Sequence, residues 1–433
     1  MRVVIVGNHA AGLSAAQTLR RRDASCEIVM ISKEDVPPYS RSLISYLVSG
    51  KKEIEGILHK PASFYGENAI KTMFGVEVVR VLADRREVLL ASGERVGYDA
   101  LILAHGGVPV APNIPGIENR GVFAFRNLSD AVAIADYCKS GILSAAVLGG
   151  GLVGLKAAEA LNNLGKKTQV IVGSPNILSQ IAGPLEAEIF EEHLAGQGIE
   201  IVTRTLPAKI LGDGKVEGVE TTEGRKHKCQ LVIGAKGVKA NTGLVEGSGI
   251  KTQYGIVVDE HCQTSVPGVY AAGDVTQSID TVRKDTWTNA LWPHAVEEGR
   301  VAAENILGLG TRLKDRTMMN SINLYGLPMI SCGLTGARDA APGAEVVSVK
   351  GPGARQSRRF VLKDNCLVGF ALVGAVEHAG VLTSIVRKGV DIAEVKDQVL
   401  SGRFDFASLY PFLKKNRERF DEPEYEEVFA FSV

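Results

Sequence analysis

The chain has 433 residues, of which 45% are hydrophobic and 23% charged, and its formal net charge at neutral pH is zero. A length of this order predicts two or three domains, and the balanced charge gives no reason to expect nucleic acid or an anionic membrane as a partner. No apolar run is long enough to span a bilayer. Because the first predicted strand begins at Arg2, we expect no signal peptide and a cytoplasmic protein.

The spacing of cysteines and histidines gives no metal-binding or redox motif. The sequence contains no C-x-x-C, H-x-x-x-H or H-E-x-x-H pattern. We therefore expect scattered free thiols in a reducing compartment and no protein-bound metal. The cysteines are Cys26, Cys138, Cys229, Cys262, Cys332 and Cys366.

The start of the chain has the pattern of a βαβ unit. Residues 2–6 form an apolar, β-branched run that is typical of a buried parallel strand, and Gly7 follows the run directly. Residues 10–19 have helical spacing and many small side chains, which let a helix pack closely on a strand. Residues 27–31 predict the next strand of the unit.

The turn after the first predicted strand departs from a dinucleotide-binding turn at one residue. Gly7 and Gly12 fit the pattern G-x-G-x-x-G, but His9 occupies the place of the middle glycine. Glu34, about 20 residues after the last glycine, is in place to accept hydrogen bonds from an adenosine ribose. Two interpretations of His9 are open. Either the site is decayed and empty, or the helix N-terminus still binds phosphates while the imidazole turns away or donates a hydrogen bond to them. The intact surroundings favour the second.

A second turn of this kind is complete. Gly149, Gly151 and Gly154 stand in full G-x-G-x-x-G register between a predicted strand and a predicted helix. The strand at 168–172 then runs into the segment 173–175, with the sequence GSP, where a ribose-binding acid normally stands. Because neither an acid nor an arginine is there, coenzyme choice is weakly specified, with a slight preference for NADH and NADP(H) as the alternative. Two such units on one chain suggest that electrons pass between two dinucleotides.

Three further stretches, together with both turns, make the chain similar to a known family. They are residues 98–116, 255–275 and 287–308, which include the sequences AHGG, YAAGD and WPHAVEEGR. The chain resembles the FAD-dependent pyridine nucleotide–disulfide oxidoreductase superfamily. The resemblance implies an α/β fold with two nested Rossmann-like FAD- and NAD(P)-binding domains plus a small C-terminal α/β domain. The expected boundaries are 1–112 and 243–312 for the FAD domain, 113–242 for the NAD(P) domain, and 313–433 for the C-terminal interface domain and tail.

Thiol chemistry is not expected, because the sequence has no cysteine between Cys26 and Cys138. Disulfide and persulfide reductases of the superfamily have a redox cysteine in this interval. The segment Tyr39-Ser40-Arg41 instead resembles the rubredoxin reductases, the ferredoxin reductases and the flavin portion of NAD(P)H nitrite reductases. In this branch Arg41 would approach the flavin or its phosphates, with a surface arginine as the alternative.

The C-terminal third resembles the same branch. Residues 358–392 look like the small domain of rubredoxin and nitrite reductase relatives, with a predicted hairpin around Asp364-Asn365. In the family this domain often helps to form a homodimer. The last stretch, 404–433, is aromatic and charged, and it is either a docking tail or a terminal helix with an extension.

The resemblance also implies individual cofactor contacts. Asp274 would hydrogen-bond the ribityl or phosphate region of FAD. The helix start at His294-Ala295 would aim its positive end at the flavin, although His294 could equally be only a cap or packing residue. Lys156 stands where the family usually has a glutamate near the nicotinamide. The candidate cofactor-binding residues are Gly7, His9, Ala10, Ala11, Gly12, Glu34, Arg41, Val78, Ala104, His105, Gly106, Gly149, Gly151, Leu152, Val153, Gly154, Lys156, Gly237, Gly273, Asp274, His294 and Ala295.

The implied activity is electron transfer between NAD(P)H and a separate acceptor by way of FAD, with no catalytic acid or base for the hydride step. Because the chain has no cysteine motif for a cluster, an iron–sulfur or rubredoxin-type partner would be another protein or subunit, and the chain could be the NAD-linking subunit of a larger redox complex. Two alternatives remain: a stand-alone NADH oxidase or diaphorase, and a low-turnover binding module that senses FAD and NADH.

Overall fold

The computed structural model describes residues 1–314, 316–336, 343–402, 404 and 406–420. The described strands, in chain order, are β1 (Arg2–Val6), β2 (Glu27–Ser32), β3 (Ile70–Phe74), β4 (Val78–Leu82), β5 (Glu87–Leu90), β6 (Arg95–Gly97), β7 (Ala100–Leu103), β8 (Gly107–Pro109), β9 (Val122–Ala124), β10 (Ser144–Leu148), β11 (Lys167–Ile171), β12 (Glu200–Val202), β13 (Pro207–Leu211), β14 (Gly218–Thr221), β15 (Lys226–Lys228), β16 (Leu231–Gly234), β17 (Val238–Ala240), β18 (Ile256–Val257), β19 (Val269–Ala271), β20 (Thr276–Asp280), β21 (Asp285–Trp287), β22 (Met319–Leu324), β23 (Leu327–Gly333), β24 (Glu345–Lys350), β25 (Ser357–Lys363) and β26 (Cys366–Val373).

The α-helices of the described residues are α1 (Ala10–Arg22), α2 (Ile44–Val48), α3 (Phe64–Glu67), α4 (Leu128–Lys139), α5 (Leu152–Asn163), α6 (Pro184–Gly196), α7 (Trp292–Ile306), α8 (Ala379–Lys388), α9 (Lys396–Ser401) and α10 (Phe406–Lys415). Short 3-10 turns, such as Arg41–Leu43, separate some of them. In this part of the chain, no helix combines the length and the apolar character that crossing a membrane requires.

Two compact units make up the chain. The first contains residues 1–173, 198–280 and 284–316, and the second contains residues 174–197, 281–283 and 317–433. Both glycine turns lie in the first unit. The division of this region into FAD and NAD(P) domains stays a prediction, because the boundary between the two units does not separate one from the other.

The first parallel sheet has the strand order β19–β7–β1–β2–β3. Its central strand β1 alternates between two apolar clusters: Val3 and Ile5 belong to one cluster, and Val4 and Val6 belong to the other. This alternation is what a strand covered on both faces requires. The predicted strand at 2–6 is therefore confirmed, and its carboxyl end leads directly into the first glycine turn.

A second parallel sheet repeats this arrangement, with the order β12–β11–β10–β16–β9. Its central strand β10 pairs with β11 and β16 and leads into the second glycine turn and α5. The strand predicted at 168–172 is β11, which begins and ends one residue earlier. In open parallel sheets, ligands bind beyond the carboxyl ends of the strands, which is where both turns lie.

The first predicted helix is confirmed and is longer than predicted. It begins at Ala10 as expected and continues past Leu19 to Arg22. Arg20 explains part of the extension, because its guanidinium donates to the backbone oxygens of Asn68 and Ala69 at 2.8 and 3.1 Å. The next strand β2 also extends the prediction by one residue.

The second unit contains an antiparallel sheet of order β22–β23–β26–β25–β24. The hairpin predicted around Asp364-Asn365 is confirmed: β25 and β26 pair up to Lys363 and Cys366, and both turn residues have positive φ, as a type I′ turn requires. Phe360 and Phe370 are fully buried in its core. The terminal stretch forms α10, but residues 421–433 lie outside the described residues, so the docking-tail alternative stays untested.

Candidate functional site

The first glycine turn is shaped by close backbone contacts. Gly7 has φ of +122°, and its N–H donates to the Ile31 carbonyl at 2.8 Å. A Cβ at Gly7 would lie 2.2 Å from the Ala104 carbonyl oxygen, and one at Gly12 would lie 2.0 Å from the Gly7 carbonyl oxygen. Only glycine fits at either place. The helix that begins at Ala10 therefore presents its first N–H groups to the crevice, and these groups have no acceptor within the helix.

His9 caps this helix in an extended conformation, with φ of −129°. Its Nε2 is 2.8 Å from Arg41 Nη2 and 3.4 Å from Glu34 Oε1, and its ring meets the Tyr39 ring edge-on. Burial and, to a smaller extent, the Arg41 charge lower the pKa of His9. Because a guanidinium can only donate, the neutral imidazole accepts at Nε2. His9 therefore lies with Arg41 and Glu34, on the side of the turn where a ribose is expected.

Glu34, the predicted ribose acid, is held from two sides. Its Oε1 accepts from Arg41 Nη2 at 2.6 Å, and its Oε2 accepts from the Tyr39 hydroxyl at 2.6 Å. Burial alone would raise the pKa of Glu34, but its contact with the His9 ring, the Arg41 charge and the Tyr39 hydroxyl together lower it to about 2. The carboxylate is therefore charged at neutral pH and oriented as a hydrogen-bond acceptor.

Arg126 links this cluster to the predicted ribityl acid, and the sequence analysis missed it. Its Nη2 donates to Asp274 Oδ2 at 3.0 Å, and its backbone oxygen accepts from Arg41 Nη1 at 3.1 Å. In the sequence, Arg126 has only the pattern of a residue before a helix. In the structure, Asp130 accepts from the N–H groups of Arg126 and Asn127, as is common at a helix start. No sequence spacing connects Arg126 to Asp274, which is 148 residues away.

The substituted turn at Ala104, His105 and Gly106 lies beside Arg126. His105 Nε2 donates to the Asn241 carbonyl at 2.7 Å, and burial lowers the pKa of His105 to about 4. Since this histidine stays neutral, it adds no charge to the site. Gly106 has φ of +72°, and a Cβ there would lie 3.6 Å from the Arg126 guanidinium.

The YAAGD turn packs between two helices. Gly273 has φ of +83°, and a Cβ there would lie 3.2 Å from the Cβ of Ala11 and 3.4 Å from the Cβ of Ala295. Ala295 and His294 are in the first turn of α7, as predicted. The structure therefore brings the predicted residues of α1, α7 and the YAAGD turn together.

Val78 is a predicted contact that lies in the apolar core. It is 5% exposed, begins β4 and packs with Val81, Val88 and Leu90. A role for Val78 in cofactor binding stays a prediction.

The second glycine turn repeats the backbone geometry of the first. Gly149 has φ of +135°, and a Cβ there would lie 2.2 Å from the Ala235 carbonyl oxygen. A Cβ at Gly154 would lie 2.0 Å from the Gly149 carbonyl oxygen, whereas one at Gly151 would meet nothing within 4 Å. Gly151 is thus open to a ligand that approaches the backbone.

The other residues predicted at this turn line its mouth. Leu152 and Val153 begin α5, and Val153 is 47% exposed. Gly237, with φ of +101°, lies in the loop after β16, and its carbonyl oxygen accepts from the Val110 N–H at 2.9 Å. At the end of β11, the Leu206 side chain lies over Gly173, where a Cβ would be 2.4 Å from Leu206 Cδ2.

The side chain of Lys156 lies between α5 and α2. Its ammonium donates to Glu159 and lies 4.9 Å from the centre of the Tyr46 ring. Lys156 is on α5, after the second turn, and Tyr46 is on α2, directly after the Arg41–Leu43 segment. A cation near a helix N-terminus is disfavoured by the helix dipole, and the Glu159 carboxylate offsets this cost.

Four of the cysteines lie in surroundings that disfavour the thiolate. Cys26, Cys138, Cys229 and Cys262 are buried. Burial raises the pKa of Cys229 to about 12 and that of Cys262 well above its ordinary value. A reactive cysteine requires the opposite shift.

The residues present fit two dinucleotides. The first turn has glycines that a Cβ would block, a helix N-terminus for a pyrophosphate and a charged acceptor at Glu34 for ribose hydroxyls. The second turn has the same cradle without an acid at the ribose position. FAD fits the first and NAD(H) the second.

Comparison with curated proteins finds relatives that are redox enzymes. An NADH oxidase of Methanocaldococcus jannaschii is 33% identical over 71% of this chain and 70% of its own length. A nitrite reductase [NAD(P)H] of Bacillus subtilis is 29% identical over 90% of this chain, which spans 48% of that relative. The epsilon subunit of an NADH-dependent phenylglyoxylate dehydrogenase of Aromatoleum evansii is 27% identical over 92% of this chain and 94% of the subunit.

The fold and the family follow from two further matches. The structure of an NAD-dependent persulfide reductase from A. fulgidus superposes with a TM-score of 0.84 and 26% identity, covering 92% of this chain and 79% of that one. The family profile described as pyridine nucleotide-disulphide oxidoreductase matches residues 1–299. The chain therefore belongs to the pyridine nucleotide-disulphide oxidoreductase family, whose members bind FAD and NAD(P)H.

Proposed function

We propose that this flavin-dependent NAD(P)H oxidoreductase passes electrons between NAD(H) and an iron–sulfur or rubredoxin-type protein or subunit. The observation that supports this most directly is the presence in one unit of two glycine turns with the backbone geometry of a dinucleotide cradle, together with the absence of any cysteine between Cys26 and Cys138. When bound, the nicotinamide supplies a hydride and the flavin divides the electron pair for one-electron partners. Without a thiol to receive the electrons, the acceptor is another molecule.

The residues of the chain provide binding and electrostatics. Glu34 and Asp274 accept hydrogen bonds from cofactor hydroxyls, and the N-termini of α1 and α5 bind the two pyrophosphates. Arg41 and Arg126 neutralise these carboxylates and attract phosphate oxygens. Apart from Val78, which packs in an apolar cluster, the other candidate residues named from the sequence are proposed to line the same cradles.

A place in a larger assembly is part of the proposal. The relative from Aromatoleum evansii is a subunit of an NADH-dependent dehydrogenase, and this chain spans nearly its whole length. We therefore propose that the chain is an NAD-linking subunit in the cytoplasm, with its last, C-terminal domain as an interface. Purification under native conditions from the source cells tests this, because a co-purifying iron–sulfur subunit is expected in the soluble fraction.

An anaerobic titration tests the redox activity. Addition of NADH to the purified protein is expected to bleach the flavin absorbance at about 450 nm stoichiometrically, without a long-wavelength thiolate–flavin band. The same titration with NADPH determines the coenzyme. Absence of flavin, or no bleaching by either coenzyme, would contradict the proposal.

A stand-alone NADH oxidase is the second candidate, because the relative from Methanocaldococcus jannaschii has that name. Oxygen consumption separates the two functions. Turnover with oxygen that equals turnover with a small iron–sulfur protein would favour the oxidase.

A further inference from the structure

Glu298, which was not among the residues predicted from the sequence, is a buried carboxylate behind the YAAGD turn. It lies on α7 and is 2% exposed. Its Oε2 accepts from the Gly273 N–H at 2.6 Å and from the Thr276 hydroxyl at 3.0 Å. Its Oε1 accepts from the Ser278 hydroxyl at 3.0 Å and from Arg316 Nη1 at 2.6 Å. Each oxygen of the carboxylate therefore accepts two hydrogen bonds, which is the number that its lone pairs allow.

The hydrogen bonds of Glu298 reach the residues on either side of Asp274. The Gly273 N–H belongs to the residue directly before Asp274, and Gly273 has φ of +83°. Thr276 closes the same turn, because its N–H donates to the Gly273 carbonyl at 2.9 Å. The turn is therefore held from its buried side by Glu298, while the Asp274 carboxylate on its other side meets Arg126 at 3.0 Å.

Arg316 balances the charge of Glu298. Its side chain is 1% exposed, and its Nη1 also reaches the Ser278 hydroxyl at 3.2 Å. The first unit ends at Arg316, and the chain continues into the second unit at Thr317. A buried ion pair is weak evidence for stability, since apolar residues of similar volume often serve as well. An apolar pair could not replace the hydrogen bond that Glu298 accepts from the Gly273 N–H.

We propose that Glu298 is a positioning residue for the flavin cofactor. It holds the Gly273 peptide so that Asp274 presents its carboxylate to the cofactor, and Arg316 keeps Glu298 in place. This inference rests on the proposed function, because it assumes that Asp274 contacts FAD.

Two double variants separate positioning from charge balance. Glu298→Gln with Arg316→Met removes both charges but keeps an amide oxygen that can accept from Gly273. Glu298→Leu with Arg316→Met removes both charges and the acceptor. The apoproteins are titrated with FAD, and bound FAD is examined by visible circular dichroism. The first variant is expected to bind FAD within about threefold of the wild type, and the second about 30-fold more weakly with an altered flavin spectrum.

Glu304→Gln is the matched control. Glu304 is on the same helix, is 5% exposed and pairs with Arg22 and Arg300, but it does not touch the YAAGD turn. This variant is expected to lose stability without any change in the flavin spectrum. Equal FAD affinity of the two double variants, or an equal loss in Glu304→Gln, would overturn the inference. Failure of the wild type to bind FAD would instead contradict the proposed function.

Discussion

The two glycine turns of the first unit have nearly the same backbone. Gly7 and Gly149 have φ of +122° and +135°, and a Cβ at either would lie 2.2 Å from a carbonyl oxygen of a neighbouring strand end. The groups around them differ. His9, Arg41 and Glu34 crowd the first turn, while the second is open at Gly151, where a Cβ would meet nothing within 4 Å.

This difference matches two ways of using a dinucleotide. A cradle with charged groups already paired and oriented favours a cofactor that stays bound, because little ordering remains to be done. An open cradle without a ribose acid favours a coenzyme that enters and leaves at every turnover.

The largest effect is expected from filling the glycine positions. Gly7→Ala should destabilise the protein by about 3 kcal/mol or more and abolish FAD retention, because a Cβ meets the Ala104 carbonyl at an unfavourable φ. Gly149→Ala should instead abolish NADH binding while FAD remains. Flavin content and thermal unfolding measure both. Gly151→Ala is the control for the fold, because a Cβ there would meet nothing within 4 Å, and its thermal unfolding should match that of the wild type. Loss of flavin in Gly149→Ala would contradict the division of roles.

Removing one cation from each turn is expected to have separate effects. Arg41→Met should weaken FAD binding about 30-fold, because Glu34 and His9 lose their common donor. Lys156→Met should leave FAD affinity unchanged and alter the KM for NADH. Titration of the apoprotein and steady-state kinetics measure the two quantities. A similar loss of FAD in both variants would mean that the turns are not independent.

Acid is expected to affect the first turn selectively through Glu34. Its pKa is about 2 in the folded chain against an ordinary 4.5, so its stabilisation is complete above pH 4.5 and is lost as the pH falls towards 2. We expect a contribution of about 2 kcal/mol, less than the full pKa difference because the side chain is 27% exposed. The free energy of unfolding of the wild type and of Glu34→Gln, measured between pH 6 and pH 2.5 in steps of about one unit, gives this contribution. If the free energies of unfolding of the two proteins change with pH in the same way, this role of Glu34 is refuted.

The smallest effect concerns coenzyme choice at the second turn. From the sequence pattern, Ser174 is expected at the ribose position after β11, and it has no carboxylate. Ser174→Asp should increase the preference for NADH over NADPH about tenfold, because the new carboxylate accepts from the 2′-hydroxyl and repels a 2′-phosphate. The ratio of kcat/KM for the two coenzymes measures this. Ser174→Asn controls for the change of size, and an unchanged ratio in Ser174→Asp would place the ribose elsewhere.

Local sequence patterns were sufficient to predict the elements around the first glycine turn and one hairpin. The run at 2–6, the helix start at Ala10 and the hairpin at Asp364-Asn365 were predicted because each depends on neighbouring residues. Helix ends were less accurate: α1 extends to Arg22, and Arg20 in this extension donates to the backbone oxygens of residues 68 and 69, a contact that spacing within the helix cannot show.

Contacts between distant residues were not predictable in this way. Arg126 and Glu298 look like an ordinary arginine before a helix and an ordinary glutamate within one, yet they meet Asp274 and Gly273 in the YAAGD turn. Charged pairs of this kind depend on which loops the parallel sheet brings to one edge, and that follows from strand order rather than from local sequence.

The sequence by itself determined the two βαβ units, the glycines of both turns and the missing cysteine, because these follow from spacing and from residue type. Only the tertiary structure decided that His9 joins Arg41 and Glu34 instead of blocking the turn. The physical reason is that the orientation of a side chain depends on the charges that the fold places around it, and here those charges come from segments 25 to 32 residues away.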